Sequence, residues 1–299
     1  CFFPSCQEKP LQWLGGGWYN KATCPRRQAG KRRSGRPLDK GGSWGRWAPR
    51  GTMGGKEHMG FWNKLFRRDK GSQAAAGCAA VIVAAGTASR MGGIDKVMAP
   101  LGGEPMIVRT VRAFQDCEAI REIVIVTRED LILQISELCR EMDKVKAVVK
   151  GGGSRQESVW LGLNALSKDM ELAAIQDGAR PLITPALIDK TVRAAHSYGA
   201  AAPAVPVKDT IKIEKSGLIE STPDRSTLRA VQTPQVFDFD LLRGALQKAA
   251  SDKAAVTDDC SAVERLGMKI RLVTGDERNL KVTTPLDMKI AELLLEEGQ

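Results

Sequence analysis

An α/β fold with a doubly wound, mostly parallel sheet is what this sequence predicts, and three observations carry the prediction. Short, wholly apolar runs rich in Val and Ile show no helical stripe, as strands buried on both faces do. Segments with apolar residues at helical spacing separate them, so strand and helix alternate as in βαβ units. Several runs end in glycine and alanine, which let a ligand lie against bare backbone N–H groups at the carboxyl end of a strand.

The first run, residues 79–83 (AAVIV), gives way to Ala84, Ala85 and Gly86, and Arg90 and Lys96 follow. Two permanent cations beside a bare loop suit a polyphosphate whose charge grows during phosphoryl or nucleotidyl transfer. A glycine turn followed by two solvated charges is the plain alternative. The loop is not G-x-G-x-x-G, because Ala88 stands at the second glycine position, and no Gly-Lys-Ser/Thr opens a helix as in a P-loop.

Residues 106–114 carry a helical stripe, 122–127 (EIVIVT) a second strand, 131–142 another helix and 145–149 a third strand. That strand ends in a second small-residue cradle, GGGSR at 151–155, before a helix over 157–166. Gly152 and Gly153 permit close backbone approach, while Arg155 and Ser158 open a helix whose N-terminus favours anions. Ser158 either donates to a ligand or caps that helix. Residues 171–176 form a strand that closes in Asp177-Gly178-Ala179-Arg180-Pro181. A carboxylate so placed serves a metal, a hydroxyl or a neighbouring cation, the alternative being an Asp177–Arg180 ion pair that shapes the turn.

A helix over 185–198 and a strand over 200–205 come next, and then the pattern changes. KDTIKIEK at 208–215 alternates polar and apolar residues ahead of Gly217, which reads as a projecting β-hairpin arm within residues 206–229. A lone two-stranded arm is marginal in water, so a homodimer packed through it is expected. The chain re-enters the sheet at 228–237, runs through a helix at 238–250 and the segment DDCSAVERLG at 258–267, and forms a last strand at 269–273. Lys281 falls in an extended stretch, 279–284, before a capped helix over 285–296.

The chain has 299 residues and a formal charge of +10, but that charge is unevenly spread. Residues 1–73 hold 16 of the 45 Lys and Arg and 4 of the 35 Asp and Glu, so they carry +12 and the remainder −2. The near-neutral body gives no support to a nucleic-acid partner. Residues 1–73 also hold five of the six Trp and 13 of the 30 Gly without apolar periodicity, and read as a disordered basic tail or as upstream sequence preceding a start at Met53 or Met59. Residues 74–299 are the predicted catalytic domain. No apolar run reaches the length of a membrane span. The seven Cys form no C-x-x-C pair and no zinc spacing with His58 and His196, as expected of reduced thiols in a cytoplasmic protein.

Taken together, AAVIVAAGTASRM, GGGSRQESV, QDGARPLI, VKDTIK, VQTPQVF, TDDCSAVE and NLKVTTP resemble, in order and spacing, the blocks of the 2-C-methyl-D-erythritol 4-phosphate cytidylyltransferase family across residues 78–297. The resemblance implies a nucleotide-diphospho-sugar transferase-like fold and transfer of CMP from CTP, the co-substrate, to methylerythritol phosphate with Mg²⁺, releasing pyrophosphate. It implies that Arg90 and Lys96 stabilise the charge developing on the α-phosphate and leaving group. Ala84, Ala85, Gly86, Gly152, Gly153 and Ser158 would hold the cytidine nucleotide, and Arg225, Thr233 and Lys281 would grip the acceptor phosphate. Asp177, Arg180 and Thr210 would meet the polyol hydroxyls, with Arg180 and Thr210 supplied by the partner subunit; no metal-ligating residue is assigned. Departures from the family pattern fall at Ala88, at Asp95 and Val97 around Lys96, and at Gln176 and Gly178. Competing readings are a cytidylyltransferase for another polyol phosphate, such as ribitol 5-phosphate, and a non-catalytic nucleotide-binding protein.

Overall fold

The computed structural model describes residues 77–86 and 95–298. The predicted tail, with its alternative start sites, and the loop carrying Arg90 lie outside the described residues.

The central sheet is built on β1 (Cys78–Ala84), which pairs in parallel with β4 (Ile120–Thr127) on one side and β6 (Leu172–Asp177) on the other. β5 (Val145–Lys150) continues the parallel arrangement beyond β4. On the far side of β6 lies β11 (Gln235–Asp238), antiparallel both to β6 and to β7 (Ala200–Pro206). β12 (Arg271–Thr274) runs parallel to β7, and β10 (Arg229–Val231) pairs antiparallel with the end of β7. The sheet is therefore mixed but mostly parallel, as the alternating pattern predicts.

β1 shows why a wholly apolar run is needed. Cys78, Ala80, Ile82 and Ala84 enter one core, and Ala79 and Val81 enter the other. The first core is completed by α1 (Met106–Gln115), α2 (Ile132–Leu138) and α4 (Pro185–Tyr198), through residues such as Phe114, Ile135 and Ile188. The second is completed by α3 (Arg155–Ala165), α5 (Phe239–Ser251) and α6 (Asp259–Glu264), through Leu163, Leu242 and Val263. Burial of apolar area on both faces, at about 25 cal/mol per Å², is what drives the assembly. α7 (Pro285–Glu296) closes a small third cluster around Leu101, Val282 and Ala291.

Most ends are fixed by local chemistry. Thr184 caps α4, whose first residue is Pro185 and whose end is Gly199 at φ +80°. Thr284 and Asp287 form a capping box on α7, and Asp258 and Ser261 another on α6. Ser154, not Ser158, caps α3, accepting from the Glu157 N–H.

The arm is a smaller hairpin than the alternating segment predicts. Only β8 (Ile213–Lys215) and β9 (Leu218–Ser221) pair, across Ser216 and Gly217. Residues 208–212 are irregular with a bend at Asp209 and no strand partner, and residue 229 already belongs to the sheet. The chain re-enters the sheet at 228–237 as expected, but as two strands, β10 and β11, and the segment at 279–284 is irregular. A short hairpin of β2 (Pro100–Leu101) and β3 (Glu104–Pro105) has no counterpart in the sequence reading.

Candidate active site

The carboxyl ends of β1, β4, β5 and β6 come together at one rim. In the register of the sheet Ala84 lies beside Thr127, and Val83 beside Asp177. The backbone loops leaving these strands touch. A Cβ on Gly151 would sit 2.3 Å from the Ala85 Cβ, and one on Gly178 would sit 3.1 Å from both the Ala84 Cβ and the Val83 carbonyl oxygen. Glycine is thus required where two cradles close on each other, and the small-residue signal in the sequence reflects that contact as well as room for a ligand.

Within the second cradle the polar groups are braced by the chain itself. The Gly152 N–H donates to Ser158 Oγ at 3.1 Å, the Ser158 hydroxyl donates to the Ser154 carbonyl at 2.9 Å, and the Gly153 N–H donates to Glu157 Oε2 at 2.7 Å. Ser158 is buried, so its hydroxyl shapes the loop from beneath. Ala85 is partly exposed and Gly86 exposed at the open edge of the first cradle. Lys96 opens a short 3-10 turn, Lys96–Met98, and the preceding Asp95 pairs with Arg128, which directly follows β4. That pair holds Asp95 at this rim.

Asp177 is the centre of charge. Its Oδ2 lies 2.9 Å from Lys281 Nζ and 3.7 Å from Arg180 Nε, and its Oδ1 lies 3.6 Å from Arg155 Nε. Burial alone would raise the carboxyl pKa, but Lys281, Arg155 and Arg180 outweigh it and hold Asp177 below its ordinary value. Arg155 also donates from Nη2 to Asp259 Oδ2 at 2.7 Å. Asp259 is buried, and burial pushes its pKa upward despite the attraction of Arg155. Asp258 also acts on Arg155 and Asp259, so the three cations Arg155, Arg180 and Lys281 face three carboxylates and the cluster is close to balanced, with Lys281 its most exposed cation.

The segment carrying Lys281 is stitched to the turn after β6. The Val282 N–H donates to the Ala179 carbonyl at 2.8 Å, and Arg180 Nη1 donates to the Asn279 carbonyl at 2.7 Å. Asn279 Nδ2 donates to the Thr233 carbonyl at 3.0 Å, and Thr233 Oγ1 accepts from the Asp177 N–H at 3.2 Å. Lys281 therefore presents its ammonium from an irregular segment as firmly anchored as a strand.

Asp177, Arg180, Thr233 and Lys281 are thus brought together within one chain. For Arg180 this corrects the expectation that it comes from the partner subunit: three residues after Asp177, it is buried against that carboxylate and the Asn279 carbonyl of its own chain. The ion pair offered as the alternative for Asp177 exists, but it is one of three. Thr210 and Arg225 lie elsewhere, exposed near the base of the arm. Arg225 Nη1 donates to the Lys208 carbonyl at 2.8 Å and lines an open cleft of about 480 Å³ with Pro206, Val207, Asp224 and Arg229. Among the described residues, no hydrogen bond or ion pair joins Thr210 or Arg225 to the Asp177 cluster. Sequence reasoning did not count Arg155 and Asp259 as site residues. Their signal was an Arg at the first position of a helix after three glycines, and an acidic pair in DDCSAVE with no strand to serve.

A mostly parallel sheet with bare loops and a cation-rich rim at its strand ends defines a nucleotide-diphospho-sugar transferase-like protein, a class built to hold a nucleotide's phosphates. The family model described as 2-C-methyl-D-erythritol 4-phosphate cytidylyltransferase matches residues 78–297. Curated relatives of that name include one from Caldanaerobacter subterraneus subsp. tengcongensis, 44% identical over 72% of this chain and 97% of the relative. Another, from Symbiobacterium thermophilum, is 46% identical over 73% of this chain and 92% of its own length. The crystal structure of 4-diphosphocytidyl-2C-methyl-D-erythritol synthase from Anaerococcus prevotii superposes with a TM-score of 0.68 at 30% identity, covering 74% of this chain and 97% of that one. The chain belongs to the 2-C-methyl-D-erythritol 4-phosphate cytidylyltransferase family.

Proposed function

We propose that this chain transfers CMP from CTP to 2-C-methyl-D-erythritol 4-phosphate and releases pyrophosphate, a step of non-mevalonate isoprenoid precursor synthesis. The observation that supports it most is the Asp177 cluster at the rim of a chain matched by that family from end to end of its sheet. In the reaction an oxygen of the acceptor phosphate forms a bond to the α-phosphorus of CTP while the bond from that phosphorus to the α–β bridging oxygen breaks. The electron pair leaves with pyrophosphate. An acceptor phosphate is already an anion near neutral pH, so the chain's task is positioning and charge stabilisation rather than proton removal.

In this reading the cradles at 84–86 and 151–153 carry the cytidine nucleotide, with Ser158 bracing the second from below. Arg90 and Lys96 stabilise charge on the α-phosphate and the departing pyrophosphate. Lys281, Thr233 and Arg225 aim the acceptor phosphate, and Asp177, Arg180 and Thr210 meet the polyol hydroxyls. Among the described residues no three His, Cys, Asp or Glu side chains gather as a metal site. A Mg²⁺ would then be held mainly by the oxygens of the triphosphate. Bound there, the ion supplies neutralisation of phosphate charge.

The arm supports a homodimer: Ile213, Leu218 and Ile219 stay exposed on a hairpin too short to be stable alone. Thr210 and Arg225, which this chain leaves at the arm's base, then complete the site of the partner or their own. No described helix is long and apolar enough to cross a membrane, and the four described cysteines are free thiols, in keeping with a cytoplasmic enzyme. Residues 74–299 form the catalytic domain, without a nucleic-acid partner. Pyrophosphate release from CTP with a panel of polyol phosphates tests the assignment. Methylerythritol phosphate is the expected acceptor; a preference for ribitol 5-phosphate would replace it, and no turnover with any acceptor would favour a non-catalytic nucleotide-binding protein.

A further inference from the structure

Arg155 stands between two carboxylates of unequal hold. Its Nη2 bonds Asp259 Oδ2 at 2.7 Å, whereas its Nε lies 3.6 Å from Asp177 Oδ1. The carboxylate with the stronger hold is the one that ligands cannot reach, since the Asp259 side chain is 1% exposed and that of Asp177 is 11% exposed. Asp259 is itself fixed to the sheet. Its backbone N–H and that of Cys260 donate to Gln235 Oε1 at 3.1 and 3.0 Å, and Gln235 Nε2 donates to Asp258 Oδ2 at 2.8 Å. The first turn of α6 is thereby pinned to β11, and β11 to β6, the strand that carries Asp177.

We infer that Asp259 is a positioning residue for the acceptor side of the site: it anchors the Arg155 guanidinium, so that Asp177 keeps its shorter contact with Lys281 instead of being drawn into a close pair with Arg155. This rests on the transferase reading given above. Asp259 reaches no substrate and acts only through Arg155. Without its charge, the guanidinium has Asp177 as its one remaining carboxylate within 4 Å, Asp258 acting on it only from farther away, and a fork of five N–H donors closes on a carboxylate in bidentate fashion. Asp177 would then shift from Lys281, and the ammonium that aims the acceptor phosphate would lose its guide. Lys is not equivalent to Arg155 here, because a compact ammonium lacks the rigid fork whose Nη2 and Nε face the two carboxylates separately.

The test is steady-state kinetics of Asp259→Asn, Arg155→Lys and Arg155→Gln in the full chain, with thermal denaturation of each. Asp259→Asn keeps shape and a hydrogen bond while removing the charge; the acceptor KM is expected to rise about tenfold and the CTP KM to change less than about twofold. Arg155→Lys should raise the acceptor KM likewise. In an Arg155→Gln background Asp259→Asn should add little, because the group it restrains is gone. Wild-type acceptor KM in Asp259→Asn or in Arg155→Lys would overturn the inference, as would an Asp259→Asn effect of equal size in the Arg155→Gln background. Should Asp259→Asn fail to fold, Arg155→Lys alone decides. Absence of CMP transfer by the unaltered protein would instead overturn the functional reading.

Discussion

The rim around Asp177 and the arm at its flank are built on opposite principles. Among the described residues, the Asp177 cluster answers its charges within the chain: Asp177 by three cations, Arg155 by two carboxylates, Arg180 by a carboxylate and a backbone carbonyl. The arm has two short strands, exposed Ile213, Leu218 and Ile219, and an Arg225 held by one backbone carbonyl. A network in which each buried charge is paired holds its geometry before substrate arrives. A hairpin with bare apolar side chains gains a fixed geometry only from something packed against it. The Asp177 cluster is thus preformed, whereas the arm's apolar side chains stay uncovered in the single chain.

The comparison breaks first at Lys281. Lys281→Ala is expected to lower kcat/KM for the acceptor by roughly 10² to 10³, the range for loss of one preorganised charge, while circular dichroism and thermal denaturation stay near wild type. Its side chain is 43% exposed and Asp177 keeps Arg155 and Arg180 beside it, so the fold should tolerate the loss. A loss below tenfold would place the acceptor phosphate elsewhere.

The arm answers to a different measurement. Leu218→Asp, a charge at a side chain 73% exposed in the single chain, should shift sedimentation at micromolar concentration from dimer to monomer and lower activity with it. A single-species monomer for the wild type, or unchanged sedimentation of the variant, would remove the arm from the interface. Arg225→Ala should raise the acceptor KM by about tenfold without changing the oligomeric state, since losing one charged hydrogen-bond donor to a phosphate costs on the order of 1.5–3 kcal/mol before screening.

Acid tests the buried network. Asp177 has a folded pKa below its ordinary value of 3.8, so its stabilisation is present above that value and is lost as pH falls through the depressed one. The stability gap between wild type and Asp177→Asn should therefore narrow as pH drops below 3.8. Asp259, whose pKa is raised chiefly by burial, works in the other sense: its contribution is greatest below the ordinary value and is lost as pH rises through the folded one. Urea midpoints at neutral pH and near pH 3 measure both signs. The smallest effect is expected from removing residues 1–73, which should leave kcat and both KM values unchanged; a loss of turnover would give the basic segment a part in the reaction.

Two halves of the site differ in how well their sequence announced them. Bare loops after apolar runs are local features, so Ala84, Ala85, Gly152 and Gly153 stand out in the chain. Asp177 does too, because a carboxylate at the end of a buried run must be answered by something. Arg155 and Asp259 are 104 residues apart and meet only because β11 lies between β6 and β7 and brings α6 over the strand ends. The split of 228–237 into two strands likewise follows from pairing, since β10 has only β7 to bond while β11 fills the space between β7 and β6.

The alternation of strand and helix, the places of the main sheet strands and helices, the family and the small-residue loops are legible in periodicity and short motifs, because they depend on near neighbours. Which charges share a site is settled only once the chain is folded. Pairing energies between carboxylates and cations act over a few ångströms of space and are indifferent to distance along the chain. Thus Arg180 was settled into its own chain's site, Arg155 was placed between two carboxylates, and Thr210 and Arg225 were left at the base of an arm that a second copy is expected to cover.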